Sequence, residues 1–251
     1  MTTRKGYKNN KFLSPNFSIN NRSKKHIKHI VIHYTGMQSE VESLKKLCNP
    51  KSGVSSHFFI KRSGKILRLV SEEKIAWHAG ESKWGKFNGL NKYSIGIEIS
   101  NRGHRWGYEK FTKNQLNNLS VLCKQLMSKY LISKKNVVGH SDIAPERKKD
   151  PGEKFPWEFL AKKKIAVWHN LKNKDLKQKR RKKISNTNIK RFQKNLKKIG
   201  YFFKNSENSK STKKVIIAFQ RHFRQELING RPDQECLDIS EAISNKIQKK
   251  A

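Results

Sequence analysis

The stretch Ser94-Ile95-Gly96-Ile97-Glu98-Ile99-Ser100 alternates isoleucine with small or polar residues. Such alternation predicts a β-strand, because successive side chains of a strand point to opposite faces. The three isoleucines therefore share one face of this strand, and Glu98 lies on the other. An earlier β-branched run, Ile30-Val31-Ile32, leads into His33 and is typical of a buried strand. The two strands predict a sheet that holds polar side chains at fixed positions.

The patterns on either side of these strands alternate between strand and helix over residues 27–165. Apolar residues recur every three or four positions in Thr112–Ile132, which predicts an amphipathic helix, and Thr112 with Gln115 predicts a capping box. Other elements are predicted as strands at His57–Lys61, Ile66–Val70 and Val137–His140, and as short helices at Glu40–Leu47 and from Trp157. This mixture predicts an α/β fold with a mixed central sheet flanked by helices.

The C-terminal part of the chain lacks strand patterns. Residues 171–187 are rich in Lys and Arg and poor in apolar residues, which is typical of a linker. Three helical stripes follow, and Gly200 fits the end of the first, so residues 188–251 are predicted to form a small three-helix domain. A chain truncated after Lys183 is therefore expected to keep a folded α/β domain.

The N-terminal residues 1–25 are polar and basic and show no periodicity, which predicts a loosely ordered arm. The predicted organisation is then this arm, an α/β domain at 26–170, the linker at 171–187 and the helical domain at 188–251.

The chain is strongly basic, with 57 Lys and Arg against 19 Asp and Glu and a formal net charge of +38. Such a charge attracts polyanions, although compositional drift explains the excess of Lys equally well. No apolar run is long enough to cross a bilayer, and the first 23 residues lack the apolar segment of a signal peptide. The three cysteines are far apart and odd in number, so no disulfide framework is expected. A cytoplasmic location is favoured, with the periplasm as the alternative.

His33 and His140 each end a predicted strand, and Asp150 follows in a loop bounded by Pro and Gly. Two histidines and one carboxylate, with a fourth position open for water, are a common ligand set for catalytic zinc. From spacing alone the signal is weak, because the chain has nine histidines and most histidines at strand ends are packed residues. His26 and His29 are expected at the exposed start of the strand. No pattern of metal ligands surrounds His104, His169 or His222.

Six short motifs occur in one order along residues 27–165. They are Ile30–Thr35 (IVIHYT), Val54–Phe58 (VSSHF), Ala76–Gly80 (AWHAG), Ser94–Glu98 (SIGIE), Val138–Pro145 (VGHSDIAP) and Arg147–Gly152 (RKKDPG), followed by Phe155-Pro156-Trp157. Together they closely resemble the zinc-dependent N-acetylmuramoyl-L-alanine amidases of the AmpD/AmiD branch, relatives of phage T7-type amidases and peptidoglycan-recognition proteins. In the C-terminal part, residues 217–224 (IAFQRHFR) and Asn229-Gly230 are similar to the peptidoglycan-binding helical domain of such enzymes.

The resemblance implies that His33, His140 and Asp150 bind Zn²⁺, that Glu98 is the catalytic glutamate and that Lys148 is the catalytic lysine. It further implies hydrolysis of the amide bond between N-acetylmuramoyl, or 1,6-anhydro-N-acetylmuramoyl, and the L-alanine of the stem peptide, in wall turnover or recycling. Zinc would activate water, Glu98 would take its proton, and Lys148 would stabilise the oxyanion of the intermediate.

Three further residues are candidates for substrate contacts, namely His57, His78 and Arg147. For the two histidines, a role in packing or in orienting a metal ligand is weighed equally. The expected partner is peptidoglycan or a muropeptide, and a monomer is favoured.

Two alternative functions are considered. A non-catalytic peptidoglycan-recognition protein would be expected if a ligand were missing, but all three ligands and both catalytic residues are in place. A nucleic-acid-binding protein is suggested by charge alone, and no nucleic-acid-binding motif supports it.

Overall fold

The computed structural model describes residues 12–204 and 209–248 of the 251-residue chain. Its strands are β1 (Phe17–Ser18), β2 (His29–Tyr34), β3 (Phe58–Ile60), β4 (Ile66–Arg68), β5 (Ile75–Ala76), β6 (Lys83–Trp84), β7 (Phe87–Asn88), β8 (Ser94–Ile99) and β9 (Val137–Gly139). Its α-helices are α1 (Glu40–Cys48), α2 (Lys113–Tyr130), α3 (His140–Ile143), α4 (Trp157–Lys162), α5 (Asn173–Lys179), α6 (Asn186–Ile199), α7 (Ser209–Phe223) and α8 (Gln234–Gln248). The chain divides into two compact units, one made of the residues up to Gly80 with Asn91–Ile132, the other of Glu81–Leu90 with the residues from Ser133 onward.

The central sheet has five strands in the order β4-β3-β8-β2-β9. Strand β8 runs parallel to β2 and to β3, whereas β3 and β4 form an antiparallel hairpin, so the sheet is mixed as predicted. The isoleucines of β8 are fully buried, as the alternation predicts. On the opposite face of β8, Glu98 is paired in register with His33 of β2. Residues in register on neighbouring strands are about 5 Å apart and point to the same face.

Helix α2 begins where the sequence predicts. The side chain of Thr112 accepts a hydrogen bond from the backbone N–H of Gln115, and the side chain of Gln115 accepts one from the N–H of Thr112. The side-chain amide of Gln115 also donates to the carbonyl oxygen of Ser100, directly after β8. The capping box therefore starts the helix and fixes it to the end of a central strand.

The N-terminal arm lies partly outside the described residues, which begin at residue 12. From there to residue 25 the chain is not loosely ordered, because β1 pairs with β5 and Arg22 is buried. The guanidinium of Arg22 donates to the carbonyl oxygens of Glu72, Asn91 and Ser94. Burial lowers the pKa of Arg22 to about 10. The expectation is wrong here because these contacts are made with distant backbone groups, which leave no periodic pattern in the sequence.

In the second unit, the three predicted C-terminal helices are present as α6, α7 and α8, and Gly200 ends α6. They pack on one another, as Phe192 does on Phe219 at 5.3 Å, and also on aromatic residues outside the three helices. The ring of Tyr201 packs edge-on against Trp84 at 4.9 Å, and Trp168 contacts Phe223 at 5.9 Å. Gly200 has a φ of 132° and lies so close to Trp84 that a Cβ there would be 2.4 Å from the indole ring.

The charged segment 171–187, predicted as a linker, contains helix α5, and its Leu176 is buried. Arg180 follows this helix and forms ion pairs with Glu226 at 2.6 Å and with Glu235 at 2.7 Å. These contacts hold the segment against the C-terminal helices. The domain boundaries themselves stay a prediction.

No helix within the described residues has the length and apolar character required to span a bilayer. The three cysteines are free, and burial raises the pKa of Cys123 and of Cys236 to about 12.

Candidate active site

His33 lies near the end of β2 and is almost fully buried. Its Nε2 is 3.0 Å from Nδ1 of His78, and Nε2 of His78 is 3.2 Å from the hydroxyl oxygen of Ser94. His78 lies over Gly96, where a Cβ atom would be only 2.4 Å from the imidazole ring. The three groups form a chain that fixes the orientation of the His33 ring.

His140 begins α3 directly after β9, and Asp150 lies ten residues further along the chain. Both side chains are buried, and Nδ1 of His140 is 3.0 Å from Oδ2 of Asp150. The backbone N–H of Ser141 donates to the carbonyl oxygen of Asp150 at 2.8 Å, which closes the loop between the two residues.

His33, His140 and Asp150 each offer one ligand atom, and these atoms lie within 4.8 Å of one another. The group is buried and contains two imidazoles and a carboxylate. Two nitrogen donors and one oxygen donor suit a divalent ion such as zinc, and three protein ligands leave a position open for water. The structure thus brings together the three residues predicted as metal ligands and makes them compatible with a metal site.

Glu98 is half-buried on β8, on the face of the sheet that also carries His33. Lys148 is half-buried in the loop between His140 and Asp150, and its backbone N–H donates to the carbonyl oxygen of Ala144. The catalytic roles predicted for these two residues stay predictions.

Arg147 lines a cavity of about 200 Å³ in the second unit. Its guanidinium donates through Nε and Nη2 to the carbonyl oxygen of Glu81, and burial lowers its pKa. The cavity is bounded by residues 143–147, by Lys83 and by Phe202 with Lys204. The ammonium of Lys83 lies 3.8 Å from the centre of the Phe202 ring, so the walls combine cations with an aromatic surface.

His57 has no exposed surface. Its Nδ1 accepts a hydrogen bond from the N–H of Gly96, and its Nε2 is 2.8 Å from Nη2 of Arg22. Burial, followed by the charge of Arg22, holds the pKa of His57 well below its usual value. This environment favours a packing role for a neutral imidazole over direct contact with substrate.

His29 corrects an expectation about the start of β2. It is fully buried rather than exposed, because β2 is an inner strand and its first residue pairs with Ser94. Burial lowers the pKa of His29 to about 4. His26, in contrast, is exposed as expected.

Three residues that the motifs did not single out meet beside His140. The carboxylate of Asp142 is buried and accepts hydrogen bonds from the hydroxyl of Tyr201 at 2.7 Å and from the N–H of Gly139 at 2.7 Å. Nδ1 of His222 is 2.8 Å from the same carboxylate. Asp142 and His222 each stand inside a quoted stretch of sequence, but the partners of Asp142 are about 60 and 80 positions away, and sequence alone does not reveal such pairs.

The mixed sheet, the buried His-His-Asp group and the nearby glutamate define an α/β protein with a site of the kind that metallohydrolases use. Comparison with known proteins identifies the family within this class. The sequence profile of the N-acetylmuramoyl-L-alanine amidases matches residues 23–153, and that of a putative peptidoglycan binding domain matches residues 185–239. N-acetylmuramoyl-L-alanine amidase AmiD of Escherichia coli is 37% identical over 232 residues, which are 88% of this chain and 83% of AmiD.

Solved structures agree with the sequence comparison. The complex of E. coli AmiD with the substrate anhydro-N-acetylmuramic acid-L-Ala-D-γ-Glu-L-Lys aligns with a TM-score of 0.78 at 35% identity, covering 91% of this chain and 92% of AmiD. AmpDh3 of Pseudomonas aeruginosa, in complex with an anhydromuramic pentapeptide, aligns with a TM-score of 0.77 at 29% identity over 98% of this chain and 99% of its own. This chain belongs to the N-acetylmuramoyl-L-alanine amidase family and hydrolyses the amide bond between the muramoyl group and L-alanine.

Proposed function

We propose that this amidase is zinc-dependent, that His33, His140 and Asp150 hold the ion, and that the substrate is a muropeptide or peptidoglycan strand. The observation that carries the proposal is the buried His-His-Asp group, whose ligand atoms lie within 4.8 Å of one another. The substrate class is supported by the relatives solved with anhydromuramyl peptides.

The surroundings of the three ligands fit this assignment. Two atoms bound to one zinc ion at about 2 Å each lie about 3 to 3.5 Å apart, and the separation of His140 Nδ1 from Asp150 Oδ2 is 3.0 Å. With Nδ1 of His33 as the ligand atom, its Nε2–H would donate to Nδ1 of His78, and the Nε2–H of His78 would donate to the hydroxyl oxygen of Ser94. A hydrogen bond of this kind fixes the tautomer and the orientation of a metal-bound imidazole. His78 therefore acts as a positioning residue in this proposal.

The bond to be cut is an unactivated amide, so the site must supply both a nucleophile and stabilisation of negative charge. Bound zinc would act as a Lewis acid on the carbonyl and would lower the pKa of a bound water to about 7. Glu98 takes the proton of the attacking water, because its carboxylate shares a sheet face with His33. Lys148 stabilises the negative charge that develops on the carbonyl oxygen.

The cavity beside Arg147 is the candidate site for the stem peptide. Stem peptides carry free carboxylates, and the cavity is lined by the cations Lys83, Arg147 and Lys204. Two carboxylates, Glu81 and Glu146, also line it and limit the net positive charge. The 185–239 segment that matches a peptidoglycan binding domain gives the chain a second region for contact with the wall polymer.

The experiment is metal removal and restoration on the full chain. Chelation should abolish release of L-alanine-linked peptide from anhydro-muropeptides and from intact sacculi, and stoichiometric zinc should restore it. Asp150→Asn should lose metal affinity, because an amide oxygen replaces a charged ligand. Glu158→Gln is the control, because among the described residues the salt bridge of this partly exposed carboxylate on α4 is with Lys162. Full turnover by metal-stripped protein would refute the proposal, and mass spectrometry of the products identifies which substrate is preferred.

A further inference from the structure

The loop that carries His140 and Asp150 is held by residues of the C-terminal helices. Asp142 is two residues after His140, is only 1% exposed, and accepts three hydrogen bonds from the described residues. One comes from Gly139, the residue immediately before His140. The other two come from Tyr201, which follows α6, and from His222 on α7. A buried carboxylate requires such donors, because it has lost its hydrogen bonds to water. Without replacement donors, its burial would cost several kcal/mol of folding free energy, roughly speaking.

Aromatic packing keeps the two distant donors in place. The ring of His222 stacks on Trp157 at 3.9 Å with an angle of 12° between the planes, and it also stacks on Phe223 at 4.0 Å. Tyr201 is 2% exposed and contacts Trp84 edge-on at 4.9 Å. Neither side chain can leave Asp142 without breaking these contacts.

The end of α7 contacts the loop at two further points. Gln225 donates through its side-chain amide to the carbonyl oxygen of Phe155 at 2.6 Å. Nε of Arg221 lies 3.7 Å from a carboxylate oxygen of Glu153, three residues after Asp150. Gly139 is packed so closely that a Cβ there would be 2.7 Å from Pro151. The segment from Gly139 to Trp157 is thus held by residues 221–225, at the end of α7 and directly after it.

We infer that Tyr201 and His222 are positioning residues of the metal site, which act through Asp142 to hold the His140 turn. The C-terminal helical region then supports the chemistry of the amidase as well as contact with the wall polymer. This inference rests on the proposed zinc site and adds to it a requirement for residues outside the part of the chain that matches the amidase profile, which ends at residue 153.

The test measures zinc affinity of the full chain by competition with a chromogenic chelator, a readout that does not depend on turnover. Tyr201→Phe removes one hydroxyl, and His222→Phe keeps the stacking on Trp157 but removes the donor to Asp142. Each variant should bind zinc about tenfold more weakly, the lower end of what is lost when groups that orient metal ligands are removed. The double variant should lose more than either single one.

Two further variants separate positioning from general stability. Ser240→Ala removes a buried hydroxyl that accepts a hydrogen bond from Asn195, between α6 and α8 and away from Asp142. It should lower the melting temperature as much as Tyr201→Phe does, with unchanged zinc affinity. His222→Asn restores a donor at the position of Nδ1 and should recover most of the lost affinity.

The inference is overturned if Tyr201→Phe and His222→Phe bind zinc as tightly as Ser240→Ala does. If the double variant does not fold, the single variants decide the question. A wild-type chain that binds no zinc would refute the proposed function first and this inference with it, whereas tight wild-type binding with unaffected variants refutes the inference alone.

Discussion

At the scale of single residues, Gly96 decides where two buried histidines can lie. Its N–H donates to Nδ1 of His57, and its missing side chain leaves the space that the ring of His78 fills. His78 in turn lies 3.0 Å from His33. A glycine in the middle of a strand costs stability, so its presence here indicates that close approach of the imidazole is required.

Gly96→Ala should therefore disturb the metal site without removing any polar group. The new Cβ would lie 2.4 to 2.7 Å from three atoms of the His78 ring, including Nδ1, so the ring must move away from His33. We expect about tenfold weaker zinc binding, as for the loss of a group that orients a ligand. In a His78→Ala background the same substitution should add little, because the clash is gone. If Gly96→Ala weakened zinc binding by the same factor in the wild-type and His78→Ala backgrounds, the two effects would be additive, and this explanation would be contradicted.

Glu98→Gln should keep zinc bound and lower kcat by roughly 10²–10⁴, the span expected for a positioned general base. The amide is almost isosteric with the carboxylate but cannot accept a proton. KM should change little, because the effect belongs to the transition state. Glu73→Gln, which alters an exposed carboxylate in the same unit, is the control. A kcat for Glu98→Gln within about threefold of wild type, well short of the general-base span, would make Glu98 an ordinary strand-surface residue.

Lys148 has a matched control beside it in the sequence. Lys148→Ala should lower kcat, since it removes a cation that stabilises the oxyanion, whereas Lys149→Ala alters an exposed neighbour and should not. Combined with Glu98→Gln, the Lys148 substitution should be far from additive, because both residues act on one intermediate. Equal kcat values for the two lysine variants would remove Lys148 from the mechanism.

At the scale of elements, the sequence predicts what repeats regularly. Strand β8 and helix α2 were predicted almost to the residue, because alternation and a capping box are local signals. The elements it missed include the two-residue strands β1, β5, β6 and β7, the four-residue helix α3 and the helix α5. A two-residue strand has no period to detect, and α5 carries one buried apolar residue among charged ones. Such elements depend on partners far away in the chain.

The candidate site likewise combines residues that local motifs predict with contacts that are distant in the sequence. His33, His140 and Asp150 were predicted from motifs, and the structure brings their ligand atoms together. The hydrogen bonds of Asp142, beside the ligand His140, could not be predicted. They join Asp142 to Tyr201 and His222, which are 59 and 80 positions away. A single sequence contains the residue types for such contacts but not their pairing.

Strand β2 makes the stability of the protein depend on pH. The pKa of His29 is lowered to about 4 by burial, so its imidazole stays neutral in the fold while the unfolded chain binds a proton below about 6.5. The unfolded state then holds more protons between these values, and the free energy of unfolding falls as pH falls. Burial of His57 acts in the same direction.

Urea unfolding of the metal-free protein at pH 7 and pH 5 measures this effect. From His29 alone we expect a loss of about 2 kcal/mol between the two values, since each pH unit within the window contributes about 1.4 kcal/mol. His29→Gln should show a drop smaller by that amount, and His26→Gln, a change at an exposed histidine, should behave as wild type does. The same drop in wild type and His29→Gln would show that His29 is not the group responsible.

At the scale of the whole molecule, the family domains and the compact units do not coincide. The amidase match ends at residue 153, and the second match begins at 185, yet one compact unit contains everything from Ser133 onward. The reason is a shared core. Trp157 and Trp168 lie before the second match, and they pack against His222 and Phe223, which lie within it. Sequence similarity therefore marks the evolutionary modules, and packing marks the parts that fold together.

Truncation after Lys183 tests this shared core, and from these contacts we expect the opposite of the outcome that the charge run predicts. Removal of α6, α7 and α8 exposes Trp84, Trp157 and Trp168, and each large aromatic side chain that loses its cover costs about 1.5–3 kcal/mol. In a chain of this size, the summed loss from the three tryptophans lowers the melting temperature by roughly 10 °C or more. We expect the truncated chain to show a red-shifted tryptophan emission and weakened zinc binding, with a chain ending at Gln248 as the control. A truncated protein that melts with the control and binds zinc equally well would mean that the amidase part folds independently of the helices.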